Sequence, residues 1–350
     1  MRKFKFVPVL LMGLSLHGQA PSAVVLVLSK AEQTLSVVDP ATLKVLGRMP
    51  SGPDPHEVAV SADGRFAYVS NYGGGGGYNT LTVADLVEQK SAGTVDLGAL
   101  RGPHGLAVAG GKVWFTAEAN KVIGSYDPAS KKVDFVLGTG QNRTHMIYVF
   151  DDLKRIITSN VSSATMTIID KTAGTGRGGG RGPGPGGPPP AGRGPMGSPQ
   201  GDWDETVVAV GRGAEGFDVS PDGKELWAAN AQDGTISVID LSAKKVTATL
   251  AANVGGANRL KFTPDGKLVL VSTLSGPDLA VFDAATRREV KRIKLGRGAA
   301  GIQMQPDGAR AYVACTPDDY VAVIDLKSLE VAGRIEAGKQ PDGLAWAVRR

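Results

Sequence analysis

Three histidines in this 350-residue chain are candidates for chemistry. The chain has four histidines, and apart from His17 near the N-terminus they are His56, His104 and His145. Neutral imidazole is a preferred ligand of zinc and other divalent transition metals, and a carboxylate often completes such sites. A metal with an open position lowers the pKa of bound water to about 7, enough to hydrolyse an ester or a lactone. The histidines therefore predict a metal centre, provided that the fold brings them together.

Short strands in a repeated unit must position these side chains. Residues 215–250 contain four β-branched or alternating apolar runs separated by three turn signals, which is typical of a four-stranded antiparallel unit. The unit recurs, and its first strand opens at His56, His104, His145, Glu215, Asn258, Ala300 and Asp342. The steps are 48, 41, 70, 43, 42 and 42 residues, and the 70 becomes 42 when the 28 residues 174–201 are set aside. This period predicts an all-β, seven-bladed β-propeller.

The two ends of the chain are expected to share one blade. Residues 24–49 supply three strands with no first strand before them, and residues 343–348 form a first strand with nothing after it. Pairing them would close the ring and leave no blade edge open. We number the blades from the one that begins at His56, so that the split blade is blade 7. The propeller is expected to be a single domain over residues 24–348.

The repeat phrases resemble a known family. Tyr68-Val69-Ser70-Asn71 and the run over residues 220–240 are similar to the YVTN-repeat β-propellers, and the likeness extends over residues 24–348. Residues 111–124 also resemble a blade of the streptogramin-lyase propellers. Related propellers include bacterial lactonases and the haem-binding domain of a periplasmic nitrite reductase. The resemblance implies the fold. It does not select one activity, because propellers of this kind include binding proteins, lyases, lactonases and haem carriers.

The propeller fold would bring the histidines to one place. The first strand of a blade is innermost, so the seven residues that open these strands should surround the mouth of the central channel; we call them the channel ring. Neighbouring blades then place five candidate metal ligands in one arc, with Glu215 also a candidate catalytic base: Asp342, His56, His104, His145 and Glu215. Three interpretations stay open, namely structural hydrogen bonding, a metal site, and direct contact with an organic ligand or haem.

Basic loops near the ring point to an anionic ligand. The loops that lead into the first strands carry Arg101, Arg143, Arg212 and Arg297, together with Lys339. Several cations around one channel mouth would attract a small anion. The remaining candidate ligand-binding residues are Tyr72, Glu118, Asn258 and Arg259.

The charge balance argues against nucleic-acid binding. The chain has 39 basic and 34 acidic residues, a net charge of +5. Three of the basic residues lie in residues 1–20 and three in residues 174–201, and setting them aside leaves 33 basic against 34 acidic residues. The propeller body is therefore nearly neutral, without the positive field that phosphate backbones require.

The N-terminus predicts export. Residues 1–20 combine a basic start, an apolar run from Phe6 to Leu16 and small residues up to Ala20, which is the pattern of a signal peptide cleaved there or after Ala23. The mature chain would be a periplasmic or secreted monomer without a transmembrane segment. Cys315 is the only cysteine, so the chain has no intramolecular disulfide.

Residues 174–201 form a separate compositional segment within blade 3. They contain 13 Gly and 7 Pro and no acidic residue, a composition that cannot bury enough apolar area to fold. We expect a disordered insert between the third and fourth strands of the blade.

Three functional hypotheses follow. The first is an exported propeller that binds a small anion or a protein partner at the channel face. The second is a lactonase or lyase that depends on a zinc-like divalent metal, and the third is a haem-binding propeller. The chain has neither the motif context of a Ser/His/Asp nucleophile nor a CxxCH sequence for covalent haem.

Overall fold

Seven four-stranded antiparallel sheets make up the protein. The computed structural model describes residues 23–172 and 202–348. The predicted propeller is confirmed: every sheet has four strands, and six of the seven use four consecutive strands. The predicted signal peptide (residues 1–20) and insert (residues 174–201) lie outside the described residues. In the part of the chain that the structure describes, no helix is long and apolar enough to span a membrane.

The strand bounds follow the repeat. The split blade begins with β1 (Ala23–Ser29), β2 (Thr34–Val38) and β3 (Val45–Pro50). Blades 1 to 3 comprise β4 (Pro55–Val60), β5 (Phe66–Asn71), β6 (Thr80–Asp85), β7 (Lys90–Asp96), β8 (Pro103–Ala109), β9 (Lys112–Ala117), β10 (Val122–Asp127), β11 (Lys132–Gly138), β12 (Thr144–Val149), β13 (Arg155–Asn160), β14 (Thr165–Lys171) and β15 (Trp203–Ala209). Blades 4 to 6 and the final strand comprise β16 (Ala214–Val219), β17 (Glu225–Asn230), β18 (Thr235–Asp240), β19 (Lys245–Ala251), β20 (Ala257–Phe262), β21 (Leu268–Thr273), β22 (Asp278–Asp283), β23 (Arg288–Lys294), β24 (Ala299–Met304), β25 (Arg310–Cys315), β26 (Tyr320–Asp325), β27 (Glu330–Ile335) and β28 (Pro341–Val348). Single 3-10 turns span Glu118–Asn120, Val161–Ser163 and Thr316–Asp318.

The position of a strand within its blade decides its burial. The third strand β18 buries four consecutive residues, whereas the fourth strand β19 is exposed or half-buried throughout. A middle strand has neighbouring blades on both faces, which explains its unbroken run of buried residues. An aromatic residue of a second strand also packs between blades: the ring of buried Trp227 in blade 4 has its centroid 5.7 Å from that of Phe262 in blade 5.

The termini close the ring as predicted. Blade 7 has the strand order β28-β1-β2-β3, so the last strand of the chain is its innermost strand. β28 and β1 are antiparallel, with Ala23 opposite Val348 and Val27 opposite Leu344. In blade 7 the first and last strands of the described chain therefore form the backbone hydrogen bonds that join the first and second strands of every other blade.

Candidate functional site

All seven residues of the channel ring line a single cavity. Its volume is about 230 Å³. Its walls also contain Lys30, Tyr72, Arg143, Arg259, Leu274 and Thr316. The repeat position common to the seven blades thus corresponds to a common location in space.

Hydroxyl groups of the second strands hold the ring residues in place. In four blades a buried Ser or Thr donates to the carbonyl oxygen of the ring residue in the next blade: Ser70 to His104 (2.9 Å), Thr116 to His145 (2.7 Å), Ser159 to Glu215 (2.9 Å) and Ser272 to Ala300 (2.6 Å). Each hydroxyl also accepts the backbone N–H of the residue after its own blade's ring residue. One side chain therefore satisfies a backbone donor and a backbone acceptor on two blades.

Replacing Thr116 with Val tests this link. Valine has nearly the same shape but lacks the hydroxyl, so the Gly105 N–H and the His145 carbonyl would lose their buried partner. We expect Thr116→Val to lower the free energy of unfolding by about 2 kcal/mol. Thr42→Val is the control, because Thr42 bonds to Asp39 in an exposed turn. Urea unfolding of both variants is the measurement. Equal unfolding midpoints would show that the buried Thr116 hydroxyl stabilises the protein no more than the exposed Thr42 hydroxyl does.

Glycine allows the blades to approach each other closely. A Cβ atom on Gly105 would lie 2.6 Å from the carbonyl oxygen of His145 in the next blade, closer than such atoms pack. Gly216, Gly301 and Gly343 hold the same position in blades 4, 6 and 7. In blade 1 and blade 5 this position is occupied by Glu57 and Arg259 instead.

Glu57 and Arg259 join across the channel. Nη2 of Arg259 donates to Oε1 of Glu57, linking blade 5 to blade 1, while Nη1 donates to the carbonyl and the side-chain oxygen of Asn258 at 3.1 and 3.2 Å. Burial would lower the pKa of Arg259, but the nearby carboxylates of Glu57, Asp342 and Glu215 outweigh it and raise that pKa. The guanidinium is thus a permanently charged, buried part of the cavity wall.

The three histidines and Tyr72 form one aromatic group. The rings of His104 and His145 have centroids 3.7 Å apart and are tilted by 34°. His56 meets the edge of His104 at 5.0 Å, and Tyr72 lies 4.7 Å from His56 and 5.2 Å from His104. The histidines therefore converge as the repeat predicted.

His145 lies between two carboxylates. Its Nδ1 bonds to Oε1 of Glu118, and its Nε2 is 3.5 Å from Oε1 of Glu215. Burial by itself would lower the pKa of His145, but these two carboxylates outweigh burial and raise it. Burial would raise the pKa of Glu215, but the nearby His145 ring and the cations Arg259 and Arg143 outweigh burial and lower that pKa to about 2. The two carboxylates therefore favour the protonated form of His145, and the pKa values of both carboxylates are themselves lowered.

His56 has the opposite environment. Nζ of Lys30 lies 2.8 Å from its Nε2, and its Nδ1 lies 3.1 Å from the carbonyl oxygen of Asp54. Lys30 also contacts Oδ2 of Asp342 at 2.8 Å. Burial and the ammonium of Lys30 lower the pKa of His56. The ring is therefore neutral, with Nε2 accepting from Lys30 and Nδ1–H donating to Asp54.

His104 is the least satisfied member of the group. It is only 3% exposed, and its Nδ1 has no hydrogen-bond partner among the described residues. Burial, together with the positive charge at His145, holds its pKa well below the usual value. A buried polar atom without a partner costs free energy, which calls for a functional explanation.

This geometry does not fit the predicted metal centre. Among residues 23–172 and 202–348, no three His, Cys, Asp or Glu side chains are arranged to hold a metal ion. His145 directs its nitrogens at Glu118 and Glu215, and His56 accepts from an ammonium group. The ring of His104 lies against that of His145, with centroids 3.7 Å apart and a tilt of 34°. A shared ion would need those nitrogens free and aimed at one point. The described residues therefore do not form a zinc site.

Haem does not fit the cavity either. Pockets for drug-sized ligands have roughly 300–1,000 Å³, and this cavity has about 230 Å³. Two of the three candidate axial ligands, His56 and His145, already bond to Lys30 and Glu118. The third, His104, has its ring against that of His145, with centroids 3.7 Å apart. The cavity is matched to a smaller molecule.

The predicted basic residues divide into two groups. Arg143 and Arg259 line the cavity. Arg101 instead donates to the carbonyl of Gly77 at 3.0 Å, and Arg212 and Arg297 pair with carboxylates of their own face, Asp233 (2.7 Å) and Asp318 (2.8 Å). Three of the four loop arginines therefore lie outside the cavity wall, because each is held by a neighbouring loop.

Sequence reasoning missed Lys30, Glu57 and Thr316. Lys30 and Thr316 directly follow a second strand, at the repeat position that Tyr72 and Glu118 also occupy. Aligning the blades at that offset, and not only at the first strand, would have found them. Glu57 directly follows a ring residue in the same way as Arg259.

Comparisons with known proteins agree with this fold. Residues 189–303 match the family model described as the cytochrome D1 heme domain, about a third of the chain. A Bacteroides uniformis structure described as a "putative 6-phosphogluconolactonase" has 15% identity and a TM-score of 0.72, covering 93% of this chain and 99% of that one. A functionally unknown protein from Desulfotomaculum acetoxidans has 14% identity, a TM-score of 0.71 and coverage of 93% and 99%.

The haem-domain likeness also appears among solved structures. Dihydro-heme d1 dehydrogenase NirN in complex with DHE has 17% identity and a TM-score of 0.62, covering 93% of this chain and 66% of that one. No curated protein sequence matches significantly. At these identities the structural likeness establishes fold alone. The seven closed blades, the YVTN-like repeats and these neighbours together make the chain a seven-bladed β-propeller, similar in fold to cytochrome d1 haem domains and to lactonase-like propellers.

Proposed function

We propose that the protein binds a small organic anion in the channel-ring cavity. The observation that carries this proposal is the unpartnered Nδ1 of His104, in a side chain that is 97% buried in the cavity wall. Native proteins rarely leave such atoms unsatisfied. A bound molecule that brings a hydrogen-bonding group next to His104, after a small shift of the ring, would remove the cost.

The charges of the wall support an anion. The cavity is lined by three cationic side chains and two carboxylates: Lys30, Arg143 and Arg259 against Glu215 and Asp342. Two further carboxylates contact these wall residues, Glu57 at Arg259 and Glu118 at His145. The inner surface that a ligand would meet therefore has more positive than negative groups.

The proposal includes the cellular location of the protein. The signal-peptide pattern of residues 1–20 supports export to the periplasm or beyond, as a monomer. The neutral balance of the propeller body supports a small-molecule ligand over nucleic acid.

His104→Phe tests the proposal. Phenylalanine keeps a flat ring against His145 and Tyr72 but removes both nitrogens. Titration calorimetry with 6-phosphogluconate, succinate and inorganic phosphate would measure binding to the wild type and the variant. We expect at least one of these anions to bind the wild type, and the variant to bind it about tenfold to a hundredfold more weakly, as for loss of one hydrogen bond to a charged group. The variant should be as stable as the wild type, since it removes an unsatisfied atom.

The control is Arg212→Gln, which removes a loop cation outside the cavity wall. It should bind the same anion with unchanged affinity. A wild type that binds none of the three anions would contradict the proposal, as would a His104→Phe variant of undiminished affinity. Binding that appears only after zinc is added would return the metal hypothesis.

A further inference from the structure

The backbone two residues before every ring residue is left-handed. Glycine occupies this position in four blades, at Gly102, Gly213, Gly256 and Gly298, with φ between 60° and 75°. The other three blades have Asp54 (φ 45°), Arg143 (φ 55°) and Gln340 (φ 54°). The turn into the first strand therefore imposes the same conformation whatever the residue type.

Glycine is the residue that this conformation favours, because a Cβ atom is strained there. Four blades show that the turn needs no side chain. A non-glycine residue at this position therefore indicates that its side chain has a use that offsets the backbone strain. Asp54 has such a use, because its side chain accepts the backbone N–H of Gly74 at 2.8 Å. Gln340 donates its backbone N–H to Asp319, a bond that glycine would also make.

Arg143 directs its side chain to the cavity. It is part of the cavity wall, and its side chain remains 41% exposed. Its Nε lies 3.7 Å from Oε1 of Glu118, beyond hydrogen-bonding distance. Both oxygens of that carboxylate already accept hydrogen bonds, Oε1 from His145 and Oε2 from Tyr72 at 2.6 Å. Glu118 therefore leaves most of the guanidinium's five donors unused.

The other cations of the wall are more fully engaged. Lys30 contacts His56 and Asp342, both at 2.8 Å, and Arg259 bonds to Glu57 and Asn258. A ligand would have to displace these partners before it could use either cation. Arg143 needs no such exchange, and its planar fork matches a carboxylate or a phosphate.

We propose that Arg143 captures the carboxylate or phosphate group of the ligand and determines the selectivity of the cavity for anions over neutral analogues. This inference rests on the proposed function, which supplies the anion. The captured group lies at the outer wall, and the rest of the molecule extends towards His104 and Asn258. The strained backbone is retained in blade 3 because glycine there would remove the guanidinium.

The test is a pair of matched glycine substitutions, Arg143→Gly and Gln340→Gly. Both substitutions remove the backbone strain of a non-glycine residue with positive φ at the same repeat position. Neither should therefore lower the midpoint of thermal unfolding. Titration calorimetry would use 6-phosphogluconate, succinate and inorganic phosphate. We expect Arg143→Gly to raise the Kd of the anion that binds the wild type by about tenfold to a hundredfold, and Gln340→Gly to leave it unchanged. Arg143→Lys keeps the positive charge but loses the planar guanidinium, so its Kd for the anion should lie between those of the two glycine variants.

The outcomes separate the two proposals. Unchanged affinity of Arg143→Gly, with a wild type that binds, overturns the role of Arg143 and leaves the anion site standing. An equal loss in both glycine variants also overturns it, because the backbone would then be responsible. A wild type that binds none of the three anions overturns the proposed function, and the role of Arg143 with it.

Discussion

Deleting residues 343–350 is expected to abolish cooperative folding of the entire propeller. These residues include most of β28, the innermost strand of blade 7, which pairs with β1 and packs against the first strands of blades 1 and 6. Leu344, Ala345 and Ala347 would leave the core, and the ladder bonds of β1 would lose their partners. We expect a loss of at least about 5 kcal/mol, comparable to the whole stability of an ordinary domain. Circular dichroism and urea unfolding would measure it.

A circular permutant separates closure from mere chain length. Ala23 and Val348 are register partners at the end of the β1 and β28 pair, so a short Gly-containing turn can join them directly. New termini can be opened between Val87 and Glu88, in the exposed turn of blade 1. This permutant should keep at least the stability of the wild type. If the deletion variant unfolds at the wild-type urea concentration with the same slope, pairing of the termini does not hold the ring together.

Arg259→Met is expected to destabilise the protein by about 3–5 kcal/mol. The side chains of Arg259 and Glu57 are only 6% and 13% exposed, and they form an ion pair across the channel. Removing the guanidinium leaves a buried carboxylate without its partner, which is the costly way to break such a pair. Arg212→Met is the control, because its guanidinium is 72% exposed and its pair with Asp233 should contribute at most about 1 kcal/mol. Urea unfolding provides both values.

The double variant Glu57→Met, Arg259→Met completes this test. With both charges removed and similar volume retained, stability should return to within about 1 kcal/mol of the wild type or exceed it. A double variant as unstable as Arg259→Met alone would mean that Arg259 acts through Asn258 and the channel wall, and not through the ion pair.

The periodic features of the fold were readable in the sequence. A blade is a local unit of four consecutive strands, so its turns and apolar runs recur along the chain whatever the rest of the molecule does. The same period identified the members of the channel ring, and the unmatched strands at the two ends indicated the closure of β28 on β1. These predictions needed only sequence spacing, because a propeller places equivalent residues at equivalent radii.

The partners of the ring side chains could not be predicted in this way. His145 meets Glu118 from the preceding blade and Glu215 from the following one, and Glu57 meets Arg259 from 202 positions away. His56 and His145 share one repeat position, yet Lys30 lowers the pKa of the first while two carboxylates raise that of the second. Two of the three histidines that predicted a metal centre, His56 and His145, are thereby committed to separate partners.

The seven blades, their closure and the set of residues that face the channel could be predicted from the repeat alone. The contacts among these residues required the folded ring: Arg143 faces the cavity while Arg212 and Arg297 pair with loop carboxylates, and His104 keeps an unsatisfied nitrogen. The physical reason is that strand formation depends on neighbours along the chain, whereas charge pairing depends on distances across the channel. Those distances exist only once seven blades have closed into a ring.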